Sequence, residues 1–294
     1  MRINSVVYRR NTMNITIIGH VCVDHNFSEG ATYTSVGSPS LFIARIFKGI
    51  PQAHANIRVI TPYGLDFNSY HHGLTLYPRT PSNQKTLTYE NRSKGNLRVQ
   101  KAYNRDQSEP VALDDELISV IQSSDVIYFA PLVPNYSVEY IKTALSYVSN
   151  TALKILLPQG YYRDFTDDDE VYPRVFKEAD ELVPLFDFVM VSEQDHHDML
   201  ATAKRWSRDT KVVLTIGEKG ALFFEDGTSF LVGTRAVPLR DIVDSVGSGD
   251  IFSAAFGYEY VRSRDVYGAM KFANAIARQC LFSKAENLRF ILPS

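Results

Sequence analysis

Short apolar runs of strand length alternate with segments of helical period along most of this chain, and that alternation narrows its fold more than any other feature. Asn14–Val23, Ile57–Pro62, Asp125–Ala130, Lys154–Leu157, Phe188–Val191 and Lys211–Ile216 read as buried strands. Pro39–Phe47, Asp114–Gln122, Ser137–Val148 and Gln194–Lys204 carry helical patterns between them. Strands separated by helices imply an α/β fold with a mostly parallel sheet. Ala221–Phe224 and Ser229–Val232 predict a hairpin around Asp226-Gly227, and final helices are expected over Asp250–Val261 and Ala269–Phe282. Between Leu74 and Tyr103 the texture changes: Thr86-Leu87-Thr88-Tyr89-Glu90 and Asn96-Leu97-Arg98-Val99-Gln100 alternate polar with apolar residues. That pattern predicts half-exposed antiparallel strands.

The bulk properties set limits on function. With 294 residues the chain is long enough to bury a large core. A net charge of −2 provides no basic footprint for nucleic acid. Cys22 and Cys280 lie far apart in apolar runs, which predicts free thiols and a reducing compartment. No apolar stretch reaches the length of a membrane span. Residues 1–13 include Arg2, Arg9 and Arg10 but no signal-peptide core, so they read as a flexible extension and the expected location is cytoplasmic.

Chemistry concentrates near the C-terminus, in Asp244-Ser245-Val246-Gly247-Ser248-Gly249-Asp250-Ile251-Phe252. This reads as a glycine-rich turn feeding a helix N-terminus. Gly247 and Gly249 permit positive φ and close approach of a ligand to the backbone. The free amides of a starting helix favour an anion such as phosphate. A carboxylate in the same turn, Asp250, can take a proton from an attacking hydroxyl. An anion hole plus a base is the minimal equipment for phosphoryl transfer. The same residues also describe an ordinary loop with an Asp cap. Asp24, read as closing the first strand, would face the crevice where α/β proteins bind ligands and can accept from two neighbouring hydroxyls. His20 and His25 beside it read as structural or surface residues.

The C-terminal run resembles the signature of the ribokinase-like (PfkB) sugar kinases, Asp-Thr-x-Gly-Ala-Gly-Asp followed by an apolar residue and Phe. Ser245 stands for the Thr and Ser248 for the Ala. The resemblance extends from about Asn14 to the C-terminus. It implies a three-layer α/β/α domain over residues 14–294, with a small β lid built from about 26–36 and 85–103. It further implies that Asp250 is the catalytic base, that Gly247, Ser248 and Gly249 form the anion hole, and that Asp24 grips the substrate.

Other landmarks match in part. The family's Gly-Gly pair with a following Asn appears here as Gly37-Ser38, with Phe42 in place of the Asn, so only Gly37 keeps the expected role at the substrate. Leu157-Pro158-Gln159-Gly160-Tyr161-Tyr162-Arg163 resembles the Asp-x-Gln-Gly-x-x-Arg segment of some members, with Leu157 replacing the acid. Arg163 either neutralises charge near the transferred phosphate or serves a structural ion pair. Ser192-Glu193-Gln194-Asp195 stands where members carry Asn-x-x-Glu; the resemblance gives Asp195 a magnesium ion held through water, with Glu193 as the fallback, and Ser192 a nucleotide contact. Helix capping by Ser192 is the alternative.

Thr215-Ile216-Gly217-Glu218-Lys219-Gly220 closely resembles the family's nucleotide-binding Thr-x-Gly-x-x-Gly. Gly217 and Gly220 permit a turn along the nucleotide, and Thr215 offers a hydroxyl to phosphate. Asn274 is placed against the adenine or, alternatively, in a closely packed helix. Asp244 is a candidate potassium ligand or a structural residue. The Asp167-Asp168-Asp169-Glu170 run and the His196-His197 pair are not expected to bind metal.

The resemblance therefore implies ATP-dependent, Mg²⁺-assisted phosphorylation of a sugar or polyol hydroxyl, with possible K⁺ use and a lid that excludes water. The oligomeric state is left open by the sequence, and the exposed lid strands are where a homodimer would form. Nucleosides are a second substrate class. A binding or regulatory protein of the same fold that has lost turnover is the rival, because Ser38, Phe42, Leu157, Ser192 and Asp195 all depart from the pattern.

Overall fold

Side chains along the central strands point alternately into two separate cores, which obliges helices to cover both faces of the sheet. Ile15, Ile17, Val126, Tyr128, Phe188 and Met190 enter one core, while Ile18, Ile127, Phe129, Val189 and Val191 enter the other. The computed structural model describes residues 12–28, 31–50, 54–70, 74–94 and 97–283. The expected flexible extension at 1–13 lies outside the described residues as far as residue 11, and Met13 already belongs to the first strand.

In chain order the elements are β1 (Met13–Gly19), β2 (Cys22–Ser28), β3 (Ala31–Gly37), α1 (Pro39–Gly49), β4 (Ala55–Ile60) and β5 (Thr75–Tyr77). Then come β6 (Thr88–Lys94), β7 (Leu97–Tyr103), α2 (Asp115–Gln122), β8 (Val126–Ala130), α3 (Val138–Ser146) and β9 (Leu153–Leu156). The short hairpin β10 (Arg163–Phe165) and β11 (Val171–Pro173) precedes α4 (Ala179–Leu182), β12 (Phe188–Ser192), α5 (Met199–Trp206) and β13 (Lys211–Thr215). The chain continues through β14 (Ala221–Glu225), β15 (Thr228–Val232), α6 (Ser248–Ser263) and α7 (Val266–Cys280).

Among the described residues, nine strands form the central sheet in the order β15-β14-β13-β12-β9-β8-β1-β4-β5. The pairs from β13 through to β5 are parallel, and the β14–β15 hairpin adds an antiparallel edge. Helices α1, α6 and α7 pack on one face, and α2 to α5 on the other. A second sheet, β3-β2-β6-β7, stands apart from the first and packs through its own small core of Cys22, Leu87, Tyr89, Ala102, Leu132 and Val133. No described helix is long and apolar enough to cross a membrane.

Two expectations need correction. Asn14–Val23 is not one strand, because β1 ends at Gly19 and β2 starts at Cys22 in the other sheet. A side chain at Gly19 would collide with the Ala130 backbone, and Tyr136 OH donates to Gly19 O (2.8 Å). The next residue, His20, is fully buried between Ser108 O and the amide of Leu132, and that burial lowers its pKa to about 4. Asp24 therefore sits in the small sheet, not at the end of a central strand. The helix expected from Gln194 begins only at Met199, because Asp195 Oδ2 turns back to accept from Ser192 N (2.8 Å) and Ser192 Oγ accepts from Gln194 N (3.2 Å). Local side-chain bonds of this kind compete with a helical start.

Candidate active site

The turn Gly247–Asp250 is built as its residues suggest. Gly247 has φ 75° and caps α6, so Ser248, Gly249 and Asp250 form the first turn of that helix. The first amides of a helix lack intrahelical partners. Ser248 N is nevertheless taken up by Ser245 O (3.2 Å), which leaves Gly247, Gly249 and Asp250 as the amides with no acceptor among the described residues. Asp244 Oδ1 accepts from Val246 N (2.9 Å) and so shapes the approach to the turn.

Two cavities meet at this turn. The first, about 570 Å³, opens towards the small sheet and is lined by Asp24, Gly37, Tyr89, Arg163, Gly247 and Asp250, among others. The second, about 440 Å³, lies between the ends of β12 and β13 and helix α7, and Ser192, Thr215, Gly217, Gly220, Ser248, Gly249 and Asn274 line it. A smaller space of about 250 Å³ at the junction is bounded by all four residues of the turn together with Gln159, Asp195 and Thr215. The structure thus brings every expected site residue to one of these walls.

On the first wall, Gly37 and Asp24 lie so close that a side chain at Gly37 would overlap the Asp24 carboxylate. Register pairs Asp24 with Ser35 on β3 and with Tyr89 on β6. Arg163 Nη1 donates to Tyr89 OH (3.0 Å) and Leu132 O (3.2 Å), while Nη2 donates to Gln159 Oε1 (3.4 Å). Tyr89 in turn donates to Leu132 O (2.8 Å).

Burial raises the pKa of Asp250 to about 7; the negative charge of Asp195 adds to the rise, and Arg163 opposes it. Asp195 is also raised, chiefly by burial, against the opposing pull of the Ser192 amide and Arg163. A carboxyl poised near neutrality suits a general base. Asp195 Oδ1 has no protein hydrogen-bond partner among the described residues, so this oxygen is the one that would be available to a hydrated cation. No group of three or more His, Cys, Asp or Glu among the described residues makes a cage of its own. Of the acidic run, Asp169 pairs with Arg105 (2.7 Å).

On the second wall, Gly217 (φ 55°) and Gly220 (φ 105°) make the turn after β13, and a side chain at Gly220 would meet the Val232 backbone. Thr215 Oγ1 donates to Val191 O (3.3 Å), and Asn274 Nδ2 donates to Val232 O (2.9 Å). The loop 234–242 and the end of α7 add an apolar group to this cavity, Val237, Leu239, Ile242, Ala277 and Leu281, beside Arg235 and Arg278.

A model of the pfkB family carbohydrate kinases matches residues 71–288. The chain belongs to that family. A search of curated proteins finds no match. Among solved structures, a pyrophosphate-dependent kinase of the ribokinase family, complexed with a pyrophosphate analog and myo-inositol, superposes with a TM-score of 0.71 at 18% identity, covering 91% of this chain and 94% of that one. The nucleoside kinase of Methanocaldococcus jannaschii gives 0.69 at 14% identity, with 94% of each chain covered. Arabidopsis thaliana ribokinase, complexed with ribose and ATP, gives 0.69 at 13% identity, covering 93% and 94%. The fold is that of the ribokinases.

This pfkB family chain departs from the expected pattern in ways that now have positions. Ser38 replaces a glycine and keeps a glycine's backbone, with φ 111° and ψ 148°, while its hydroxyl caps α1 at Leu41 N (3.4 Å). Phe42 is buried against Gly247. Leu157 is buried in the core beneath the junction. The residues not anticipated are Asn26, Asn91 and Gln100 on the first wall and the apolar group of the second. Period-two alternation in β6 would have put Asn91 on the same face as Tyr89. The apolar group has no local signal, since its residues come from a loop and from the end of α7.

Proposed function

We propose that this chain transfers the γ-phosphate of ATP to a hydroxyl of a sugar or polyol. The observation that carries this reading is the Gly247–Asp250 turn, which walls both cavities at once and so stands between an acceptor in one and a donor in the other. Asp24, beside Gly37, orients the acceptor. Asp250 accepts the hydroxyl proton as that oxygen attacks the γ-phosphorus, and the bond to the β,γ-bridging oxygen breaks with its electron pair leaving on ADP. The free amides of Gly247, Gly249 and Asp250 face the developing charge, with Arg163 nearby; the expected Ser248 amide is excluded because it donates to Ser245 O. Thr215, Gly217, Gly220, Ser192 and Asn274 hold the nucleotide, and the apolar group in that cavity suits a purine better than a bare pyrophosphate. Asp195 would hold Mg²⁺ through water, and the ion would supply charge neutralisation for the donor phosphates. A K⁺ ion near Asp244, a homodimer through the small sheet and a cytoplasmic location belong to the same reading.

ADP release from Mg-ATP, measured against a panel of sugars, polyols and nucleosides, tests it. Turnover that needs a sugar or polyol and drops about 10³-fold in Asp250→Asn is the expected result for a lost general base. Nucleotide binding without turnover on any alcohol would overturn it in favour of a binding protein.

A further inference from the structure

Four polar side chains form an unbroken run of hydrogen bonds across the inner face of the small sheet. Gln100 Nε2 donates to Asn91 Oδ1 (2.7 Å), Asn91 Nδ2 to Asn26 Oδ1 (3.1 Å), and Asn26 Nδ2 to Ser35 Oγ (3.1 Å). The run takes one residue from each strand, β7, β6, β2 and β3. Register explains it, because Asn91 stands opposite both Gln100 and Asn26. All four residues line the 570 Å³ cavity that also holds Asp24 and Asp250.

The direction of the run is determined by a backbone atom. Asn26 Nδ2 also donates to Asp24 O (3.3 Å), and a carbonyl can only accept. The Asn26 amide nitrogen must therefore face Asp24 and Ser35, so its oxygen faces Asn91, and Asn91 must present its own oxygen to Gln100. The ends then differ: Gln100 Oε1 is left as an acceptor with no donor among the described residues, and Ser35 keeps its hydroxyl hydrogen to give.

A phosphate or carboxylate calls for a cation. The sheet face itself presents no Lys or Arg among its described lining residues; the two arginines of the cavity wall, Arg45 and Arg163, come from outside the sheet and are partnered, Arg163 by Tyr89, Leu132 O and Gln159. Neutral groups that both accept and donate match hydroxyls, which do the same. We infer that the Gln100–Asn91–Asn26–Ser35 ladder is the specificity wall of the acceptor site, reading the hydroxyls of an uncharged polyhydroxylated substrate other than the one Asp250 serves. This rests on the cavity being the acceptor site, as proposed above.

The test is equilibrium binding by calorimetry, independent of turnover, of myo-inositol, D-ribose, adenosine and fructose 6-phosphate to the full chain and to Gln100→Met and Ser35→Ala, which truncate the two ends. Thermal melting verifies that each variant is folded. Myo-inositol or ribose is expected to bind, with a loss of about tenfold in each variant, the size of one hydrogen bond. A deoxy analogue lacking the contacted hydroxyl should bind the parent and the matching variant equally weakly. Tightest binding of adenosine or fructose 6-phosphate, unchanged affinity in both folded variants, or no binding of either neutral polyol would each overturn the inference. Ladder-dependent binding without phosphate transfer sinks the kinase reading alone; turnover with unchanged affinity in the variants sinks the ladder alone.

Discussion

The ring of Phe42 abuts Gly247: a Cβ built on that glycine would come within 2.5 Å of three ring atoms. Helix α1 thereby braces the N-terminus of α6, where the Gly247–Asp250 turn begins. An apolar ring at this place fixes one side of the turn against the core while Gly249 stays exposed. Gly247→Ala is expected to destabilise the protein, by about 1–2 kcal/mol for left-handed backbone and about 1–3 kcal/mol for overpacking. Denaturant melts measure the loss, and Phe42→Leu in the same chain should recover part of the overpacking share. A fully stable Gly247→Ala protein would contradict the contact.

The pH response of Asp250 has a definite sign. Burial raises its folded pKa to about 7 from the ordinary aspartate value of 3.8. Between those values the folded state holds a proton that the unfolded state has lost, so stability falls as pH rises through the window. Asp250→Asn removes that dependence. The difference in melting temperature between Asp250→Asn and the parent should therefore grow in favour of the variant from about pH 4 to about pH 7. A constant difference across that range would argue against the raised value. Activity runs the other way, rising with pH as the base ionises.

Arg163 lowers the pKa of both Asp250 and Asp195. Replacing it with Met removes this pull, so the acid limb of the kcat/KM profile should move to higher pH. An unmoved limb with reduced activity would instead limit Arg163 to holding Tyr89 and Leu132 O in place.

Ser38 has φ 111°, a region that glycine occupies without strain. Ser38→Gly is expected to stabilise the protein by about 1 kcal/mol: relief of about 1–3 kcal/mol of backbone strain exceeds the few tenths lost when a Ser cap becomes Gly. A lower melting temperature in the variant would mean that the cap at Leu41 outweighs the strain.

Ala277 belongs to the apolar lining of the 440 Å³ cavity, the proposed site of the phosphate donor. Ala277→Tyr should raise KM for ATP by roughly tenfold or more, since even a methylene matters in an apolar pocket. If pyrophosphate supports turnover at all, its KM should be unaffected. Equal effects on both donors would remove the case for a purine site.

Much of the site could be read from local pattern because its chemistry is local. The Gly247–Asp250 turn and the Gly217–Gly220 turn are each contiguous, and their backbone angles follow from having glycine where positive φ is needed. Asp24 reads as closing the first strand and instead lies in the small sheet, since nothing in Asn14–Val23 marks the change of sheet at His20; the partners that pull the chain away, Ser108, Leu132 and Tyr136, lie far along the sequence. Ser192-Glu193-Gln194-Asp195 carries helix-compatible residues, and only the return bond from Asp195 shows why the helix waits until Met199.

The sequence by itself determined the alternation of strands and helices, the two glycine turns and the half-exposed strands between Leu74 and Tyr103, because periodicity and backbone freedom act over a few residues. Tertiary structure decided what those pieces face. Packing set Phe42 against Gly247, strand register linked Gln100, Asn91, Asn26 and Ser35 into one ladder, and shared burial of Asp250 with Asp195 moved a carboxyl towards neutrality. Each of these depends on groups distant in the chain coming within a few ångströms, and no local pattern encodes that.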